Sequence, residues 1–344
     1  MRIEFTPAGV GAYLKYWKLL ENLETDTFLV NAISYDIRWK DYISELRKMK
    51  NFKILVDSGG FQTITQYGVE HNIDPIDIYN KQKSIGDIGF ILDTPTFQSK
   101  QKVETDEKFF QKCLDVTKKN IKLVKKYCTK DKRMKYYFIS QGSTEEHIKR
   151  WCEELIPLDE FDGIALKTTF TAEGGPKQLI NSFNICKEYG FRNYHILGIS
   201  APFYACLIHY MFDTIRDKVD LVTYDSTTPN IYSRLKRYMV PLFVSKMQVI
   251  RVSDYLGEEL PCNCSICRNS SFEELERPGS QETFKLMIHN ANVLNNFNKL
   301  LSMLIKHKET YRFTTIKLFP ELEKWYDMID GITENKNTKT LLDF

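Results

Sequence analysis

The chain has 344 residues, 42% of them hydrophobic and 27% charged, and a formal net charge of +3. That length accommodates one large core plus an appendage, and so small a net charge neither demands a nucleic-acid partner nor excludes one. No apolar run reaches the ~18 residues needed to span a membrane. The start, Met1-Arg2-Ile3-Glu4-Phe5, lacks a secretory core. The 8 cysteines then fit a reducing compartment better than a disulfide framework, and a cytoplasmic location is expected.

Short apolar runs rich in β-branched residues recur along the chain, at about 27–33, 53–57, 88–93, 136–140, 162–167, 194–199, 219–224 and 240–245. They lack polar alternation, as strands buried on both faces should. Helical patterns lie between them. The clearest runs from Glu107 to Cys128, with Phe110, Cys113, Leu114, Ile121 and Val124 on one stripe. Strand–helix alternation repeated about eight times predicts an α/β fold with a parallel sheet, closed as a (β/α)8 TIM barrel; an open doubly wound sheet is the alternative. No glycine-rich dinucleotide fingerprint follows the first strand, which counts against a Rossmann domain.

The segment Lys118–Lys135 carries nine Lys or Arg residues and reads as a solvated helix face and loop, with a phosphate-contacting surface as the second reading. A long helix is predicted from Gln281 to Lys306, and the polar stretch Glu334–Thr340 is expected to fray. The organisation expected is a barrel core with a catalytic rim over 1–250. A zinc-binding subdomain with the final long helix follows over 251–310, and an extension over 311–344.

Cys262, Cys264 and Cys267 form a C-x-C-x-x-C motif, and His289 follows on the long helix. Three thiolates and an imidazole make a closed tetrahedral set for a structural Zn2+, with no position open to a reacting water. The bland alternative is three free cysteines beside an unrelated histidine. The other five cysteines (Cys113, Cys128, Cys152, Cys186, Cys206) fall on helical segments and are expected in the core.

Several strands end in a residue with chemistry to offer: Asp57, Asp93, Gln141, Lys167, Gly198 and Asp225. In a barrel these ends converge on one face. Each acid alone could cap a helix. As a set they suit double displacement at a sugar carbon, one carboxylate attacking and another moving the proton of the leaving group. A divalent-metal site is the weaker reading, because His195 is the only histidine near. Gln141 suits a planar hydrogen-bonding ligand, and Gly59 and Gly60 allow a flat ring to approach the backbone.

Asp57-Ser58-Gly59-Gly60-Phe61-Gln62, Gln141-Gly142 after a strand, Tyr224-Asp225 followed by Pro229, and the C-x-C-x-x-C set ending in His289-Asn290 occur in that order. Together they resemble the tRNA-guanine transglycosylase family. The resemblance implies a TIM barrel with a zinc-binding insertion and base exchange at a guanosine in nucleic acid. Asp225 would be the nucleophile and Asp57 the general acid/base. Asp93 and Gln141 would hydrogen-bond the base, with Ser58, Gly59, Phe61, Gly142, Lys167 and Gly198 lining its pocket. Arg234, Lys236 and Arg237 would contact phosphates, or serve only as surface charges at a helix start.

Two departures bear on the substrate. The family's Gly-Gly-Leu stretch reads Lys167-Thr168-Thr169, and its Pro-Thr-Arg-x-x-Arg segment, which grips the anticodon loop, reads Pro229-Asn230-Ile231-Tyr232-Ser233-Arg234. No further RNA-binding domain is expected beyond the barrel. A branch of the family inserts 7-deazaguanines into DNA in phages and bacterial modification clusters, and loss of the anticodon-gripping residues beside an intact Asp225 favours that branch over tRNA. The expected partners are DNA (tRNA the alternative) and a free 7-deazaguanine base, with a homodimer open and no membrane. If the chain is phage-encoded, its compartment is the host cytoplasm. A non-catalytic nucleic-acid-binding paralogue and a zinc-dependent hydrolase are the rival classes.

Overall fold

The computed structural model describes residues 1–69, 72–96, 107–167, 174–199, 202–241 and 248–342, with side chains through residue 332. Eight parallel strands form the main sheet: β1 (Arg2–Pro7), β2 (Thr27–Asn31), β3 (Lys53–Asp57), β4 (Ile88–Phe90), β5 (Lys135–Ile139), β6 (Gly163–Lys167), β7 (Asn193–Leu197) and β8 (Leu221–Ser226). Hydrogen-bonded order runs from β2 through β8 to β1, each strand beside its sequence neighbour except where β8 meets β1. A single parallel bridge, Ala8 to Leu29, joins β1 to β2 and leaves the barrel nearly closed.

Hydroxyls lace that seam. Thr25 Oγ1 and Thr27 Oγ1 both donate to the Phe5 carbonyl, at 2.8 and 3.0 Å, and Thr6 Oγ1 lies 2.9 Å from Thr27 Oγ1. Buried backbone polar groups need partners, and here side chains supply what an incomplete ladder cannot.

The strand that closes the barrel is therefore β1, in place of the one expected at 240–245. Residues 242–245 of that stretch lie outside the described residues, and the nearest described strand, Arg237–Met239, pairs antiparallel with Val249–Arg251 in a separate two-stranded sheet. β1 carries Arg2 and Glu4 at its lower end, which breaks the apolar run that marks the other strands. Glu4 reaches water-facing partners there, Lys53 and Arg2, each at 3.5 Å.

The helices are α1 (Trp39–Met49), α2 (Gly60–Tyr67), α3 (Pro75–Ile85), α4 (Glu107–Tyr127), α5 (Glu145–Leu155), α6 (Gly174–Cys186), α7 (Pro202–Asp213), α8 (Thr228–Arg234), α9 (Phe272–Glu276), α10 (Ser280–Leu304), α11 (Lys308–Leu318) and α12 (Leu322–Leu342). The α4 stripe read from sequence is buried as a face, whereas α10 is buried all round from Leu286 to Asn295. Helix α10 crosses α8, β1 and α7. Its asparagines tie it to the barrel: Asn298 Nδ2 donates to the Ile3 carbonyl at 2.9 Å and Asn292 Nδ2 to Asn22 O at 2.8 Å. Two helices follow the one expected to be the final long helix, and the stretch expected to fray, 334–340, continues the backbone of α12. That helix is anchored upstream by Tyr326, fully buried and stacked on Tyr210 at 4.0 Å. Among the described residues, no helix is long and apolar enough to cross a membrane.

The lysine-rich stretch beginning at Lys118 lies on the outer wall of the barrel. Lys118 pairs with Glu154 at 2.9 Å, and Lys125 Nζ donates to Leu158 O at 2.7 Å. Cys113, Cys152, Cys186 and Cys206 are buried, and Cys128 is half-buried.

Candidate active site and metal centre

The pleat of the strands decides which residues look into the barrel mouth. β3 and β4 pair only at Leu55–Ile88 and Val56–Gly89, so their upper ends splay. The buried Gln82 side chain bridges the gap, its Nε2 donating to Val56 O at 3.0 Å and to Phe90 O at 2.8 Å. Above that point β3 and β4 no longer pair, and Asp57 and Asp93 face the cavity.

Asp93 stands three residues past β4, held by two polar side chains on the inner face of α4. Asn120 Nδ2 donates to Leu92 O at 3.0 Å, and Thr94 N donates to Thr117 Oγ1 at 2.9 Å. From the other side Gly60 presses on it. A Cβ at residue 60 would come within 2.6 Å of both the carbonyl oxygen and Oδ1 of Asp93, so no side chain fits there. Gly59, at φ +81°, turns the chain from β3 into α2, a conformation that favours glycine.

Three of the predicted residues form one hydrogen-bonded row. Lys167 Nζ donates to Gln141 Oε1 at 2.9 Å, and Gln141 Nε2 donates to Asp93 Oδ2 at 2.6 Å. Burial pushes the Asp93 carboxyl up to about 7; the Gln141 hydrogen bond opposes this and the Asp57 charge adds to it. Burial likewise brings the Lys167 ammonium down to about 8, against the pull of Asp93. Trp151 Nε1 closes the end of β5 by donating to Ile139 O at 3.0 Å, which sets the turn presenting Gln141. Gly142 turns the other way, its carbonyl accepting from Gln178 Nε2 at 2.7 Å.

Asp57 ends β3 opposite Asn31 of β2. Asn31 Nδ2 donates to Asp57 Oδ2 at 2.9 Å, while Asn31 Oδ1 accepts from Ile33 N at 2.8 Å. Burial raises the Asp57 carboxyl to about 6, reinforced by the negative charge of Asp225 and moderated by the Gly59 amide. Ser58 is fully buried and its Oγ has no hydrogen-bond partner among the described residues. Phe61 stands 44% exposed at the start of α2.

Across the mouth Asp225 is 7% exposed. Its Oδ1 accepts from Gly198 N at 2.8 Å and lies 3.2 Å from His195 Nε2. Gly198, at φ +67°, aims that amide inward. The mouth thus collects Asp57, Asp93, Gln141, Lys167, Gly198 and Asp225 as the strand ends predicted, and adds Asn31 and His195. A polar residue closing the second strand was the available signal for Asn31. His195 sits mid-strand, where only the register with β8 exposes its role.

Beyond β8 the chain enters α8. Asn230 turns inward and its Oδ1 accepts from Tyr13 OH at 3.3 Å, while Ile231 is 49% exposed and Arg234 is exposed on the same side. Lys236 departs from the phosphate-contacting part expected of it: its Nζ donates to Leu275 O and Arg277 O, both at 2.7 Å. Those carbonyls end α9, and a cation there satisfies groups the helix leaves open. The Arg237 guanidinium lies 5.9 Å from the centre of the Tyr232 ring.

The ligand atoms of Cys262, Cys264, Cys267 and His289 all lie within 4.8 Å of one another. Cys264 Sγ is 3.5 Å from Cys267 Sγ and 3.5 Å from His289 Nδ1, and Cys267 Sγ is 3.2 Å from that nitrogen. Tetrahedral zinc bonds of about 2.0–2.3 Å set neighbouring donors roughly 3.3–3.8 Å apart, so the group fits the ion. The other ring nitrogen, His289 Nε2, lies 2.9 Å from Met239 O. Donation to that carbonyl leaves Nδ1 as the ligand, the usual second contact of a metal-bound histidine. Tyr238 stacks on the ring at 3.9 Å and its hydroxyl lies 3.3 Å from Cys267 Sγ. This Cys3His group could hold a metal ion, and it joins the 262–267 loop to α10.

The family model described as queuine tRNA-ribosyltransferase matches residues 5–316. A relative, the tRNA-guanine(15) transglycosylase of Sulfolobus acidocaldarius, is 25% identical over 310 residues, covering 87% of this chain and 56% of its own length. The chain thus spans about half the length of that relative. With the match running from within β1, through the other seven barrel strands, into α11, the chain belongs to the queuine tRNA-ribosyltransferase family.

Proposed function

We propose that this chain replaces guanine in a nucleic acid with a 7-deazaguanine, through a covalent glycosyl-aspartate. One observation carries the reading: Asp225, pinned at one oxygen, shares the barrel mouth with an Asp57 carboxyl raised to about 6. A nucleophile must be ionised and a proton donor must hold its proton near neutral pH, and two acids in these different settings divide those tasks. Asp225 attacks the anomeric carbon, and Asp57 protonates the departing guanine. In the second half Asp57 takes the proton of the incoming base, which displaces the aspartate from the same face and gives retention.

The Asp93–Gln141–Lys167 row reads the base. Asp93 accepts from ring and exocyclic N–H groups, Gln141 donates to a carbonyl, and the Ser58 Oγ, without a partner among the described residues, is available to the ligand. Gly142 and Gly198 shape the walls, with Gly59 at the turn and Phe61 at the lip, and the target base must leave its stack to enter. Zinc is structural, held by Cys262, Cys264, Cys267 and His289. It fixes the insertion against α10 and takes no step in the exchange.

DNA is the favoured polymer. The position where tRNA enzymes of the resemblance carry the first anticodon-gripping arginine is here the exposed, uncharged Ile231, and Asn230 is turned away onto Tyr13. Arg234 and Arg237 remain as candidate phosphate contacts. The relative from Sulfolobus acidocaldarius, a tRNA-guanine(15) transglycosylase, keeps tRNA as the second reading.

The test is to incubate wild type and Asp225→Ala with guanine-containing DNA or tRNA and a labelled deazaguanine. A denaturation-resistant adduct from wild type, absent from the variant, and label entering DNA are expected. Label entering only tRNA overturns the choice of polymer. No adduct and no label with either polymer overturns the exchange.

A further inference from the structure

His195 and Thr223 are register partners on β7 and β8, and Asp225 lies two residues beyond Thr223, so all three side chains share the inward face. Both His195 and Thr223 are fully buried. His195 Nδ1 is 2.8 Å from Thr223 Oγ1, and Nε2 is 3.2 Å from Asp225 Oδ1. The hydroxyl has one proton and two acceptors in reach: His195 Nδ1 at 2.8 Å and Tyr194 O at 3.4 Å. Given to the nearer, it makes Nδ1 an acceptor and places the imidazole proton on Nε2, facing the carboxylate. The opposite choice would set the Nε2 lone pair against the Oδ1 lone pairs, which is unfavourable in a buried site.

Gly198 N donates to the same oxygen, Oδ1, at 2.8 Å. Two donors on one oxygen hold the carboxylate plane and leave Oδ2 as the more basic atom. We infer that His195 is a positioning residue, its tautomer set by Thr223, and that it fixes Asp225 so that Oδ2 is the attacking oxygen. This rests on the exchange reading proposed for the site. The Oδ2–C1′ bond forms as C1′–N9 breaks. The bonding pair leaves on guanine, which takes its proton from Asp57, and no redox partner is involved.

The experiment compares His195→Phe, His195→Gln and Thr223→Val with wild type. It measures the single-turnover rate of adduct formation on a guanine-containing oligonucleotide, the affinity for free guanine, and Tm. Glutamine can place an N–H near the position of Nε2, and phenylalanine fills the space without a donor. His195→Phe is expected to slow adduct formation ~10²-fold, the scale of a misaligned attacking group, with guanine affinity within about twofold. His195→Gln should recover at least ~10-fold of that loss, and Thr223→Val should cost less than His195→Phe.

Adduct formation at the wild-type rate in a folded His195→Phe protein overturns the inference alone. Equal loss in Phe and Gln variants of wild-type Tm also overturns it, since the donor would then be irrelevant. If wild type forms no adduct, the exchange reading fails and the inference falls with it.

Discussion

Lys167 donates through Nζ to Gln141 Oε1 at 2.9 Å, and this contact decides which way round the glutamine amide lies. An amide rotated by 180° has nearly the same shape with its donor and acceptor exchanged. An ammonium can only donate and the Asp93 carboxylate accepts at 2.6 Å, so one orientation satisfies both. In the proposed exchange the second Nε2 hydrogen donates to the ligand, matching a guanine carbonyl. Lys167→Met should release the amide, lowering guanine affinity ~10-fold and narrowing discrimination against adenine, the scale of one charge-assisted hydrogen bond. Competition by free bases measures both. Unchanged discrimination would remove Lys167 from base selection.

The Asp57 carboxyl, at about 6, should give the two halves of the proposed exchange opposite pH dependence. Guanine expulsion uses the protonated form, so single-turnover adduct formation should fall as pH rises past about 6. Capture of the incoming base uses the ionised form and should fall as pH drops below it. Asp57→Asn should lose this inflection and slow adduct formation ~10²–10⁴-fold, the usual range for a positioned acid or base. An inflection at the same pH in Asp57→Asn would assign it to another group.

The same burial that tunes these acids costs stability. Asp93 has its folded pKa raised from 3.8 to about 7, so the folded state holds a proton that the unfolded state has released between those values. Its contribution is therefore fully favourable below about pH 4 and is lost as pH climbs through 7. Asp93→Asn removes the ionisation and keeps an acceptor for Gln141. It should be more stable than wild type at pH 8 by roughly 1–3 kcal/mol, with the gap closing toward pH 4. Urea midpoints across that range test the sign, and a gap that widens on acidification would contradict it.

Much of the mouth could be read from strand ends alone, because Asp57, Asp93, Gln141 and Asp225 each follow an apolar run that the barrel buries. The Cys3His group was equally legible, since three cysteines so close in sequence have few other uses. What stayed hidden depends on pairing between distant segments. β1 reads as a charged opening because Arg2 and Glu4 lie at the lower rim, outside the core. Thr117 and Asn120 look like lapses in the apolar stripe of α4 until their side chains are seen to fix the Asp93 loop. Lys236 looks like a phosphate contact until the α9 carbonyls come within 2.7 Å of it.

The Cys3His group predicts a stability effect of metal removal separate from the chemistry. Stripping the ion should leave thiols crowded at 3.5 Å with no shared ligand, freeing the insertion from α10. About one zinc per chain is expected by metal analysis, with a chelator or His289→Ala lowering Tm by at least several degrees. Chelated protein that remains folded at low temperature should still form the adduct. Loss of adduct without change in Tm would move zinc from scaffold to chemistry.

Helix α8 offers a direct test of the polymer path. Ile231, Arg234 and Leu235 lie three and four residues apart on its exposed side, so a charge at 231 would stand beside Arg234. Each phosphate neutralised steepens the dependence of log affinity on log salt by ~0.9 on duplex DNA and ~0.7 on a single strand. If this side faces the substrate, Ile231→Arg should steepen the slope by about one contact and Arg234→Ala should flatten it by about as much. Comparing the two variants on DNA and on tRNA separates the readings further. A gain confined to tRNA would mean that Ile231 marks the loss of an anticodon grip, whereas equal gains mean a path shared by any polyanion. No change in slope for either variant would place the polymer elsewhere on the rim, because a phosphate contact cannot form or vanish without altering the counterions released.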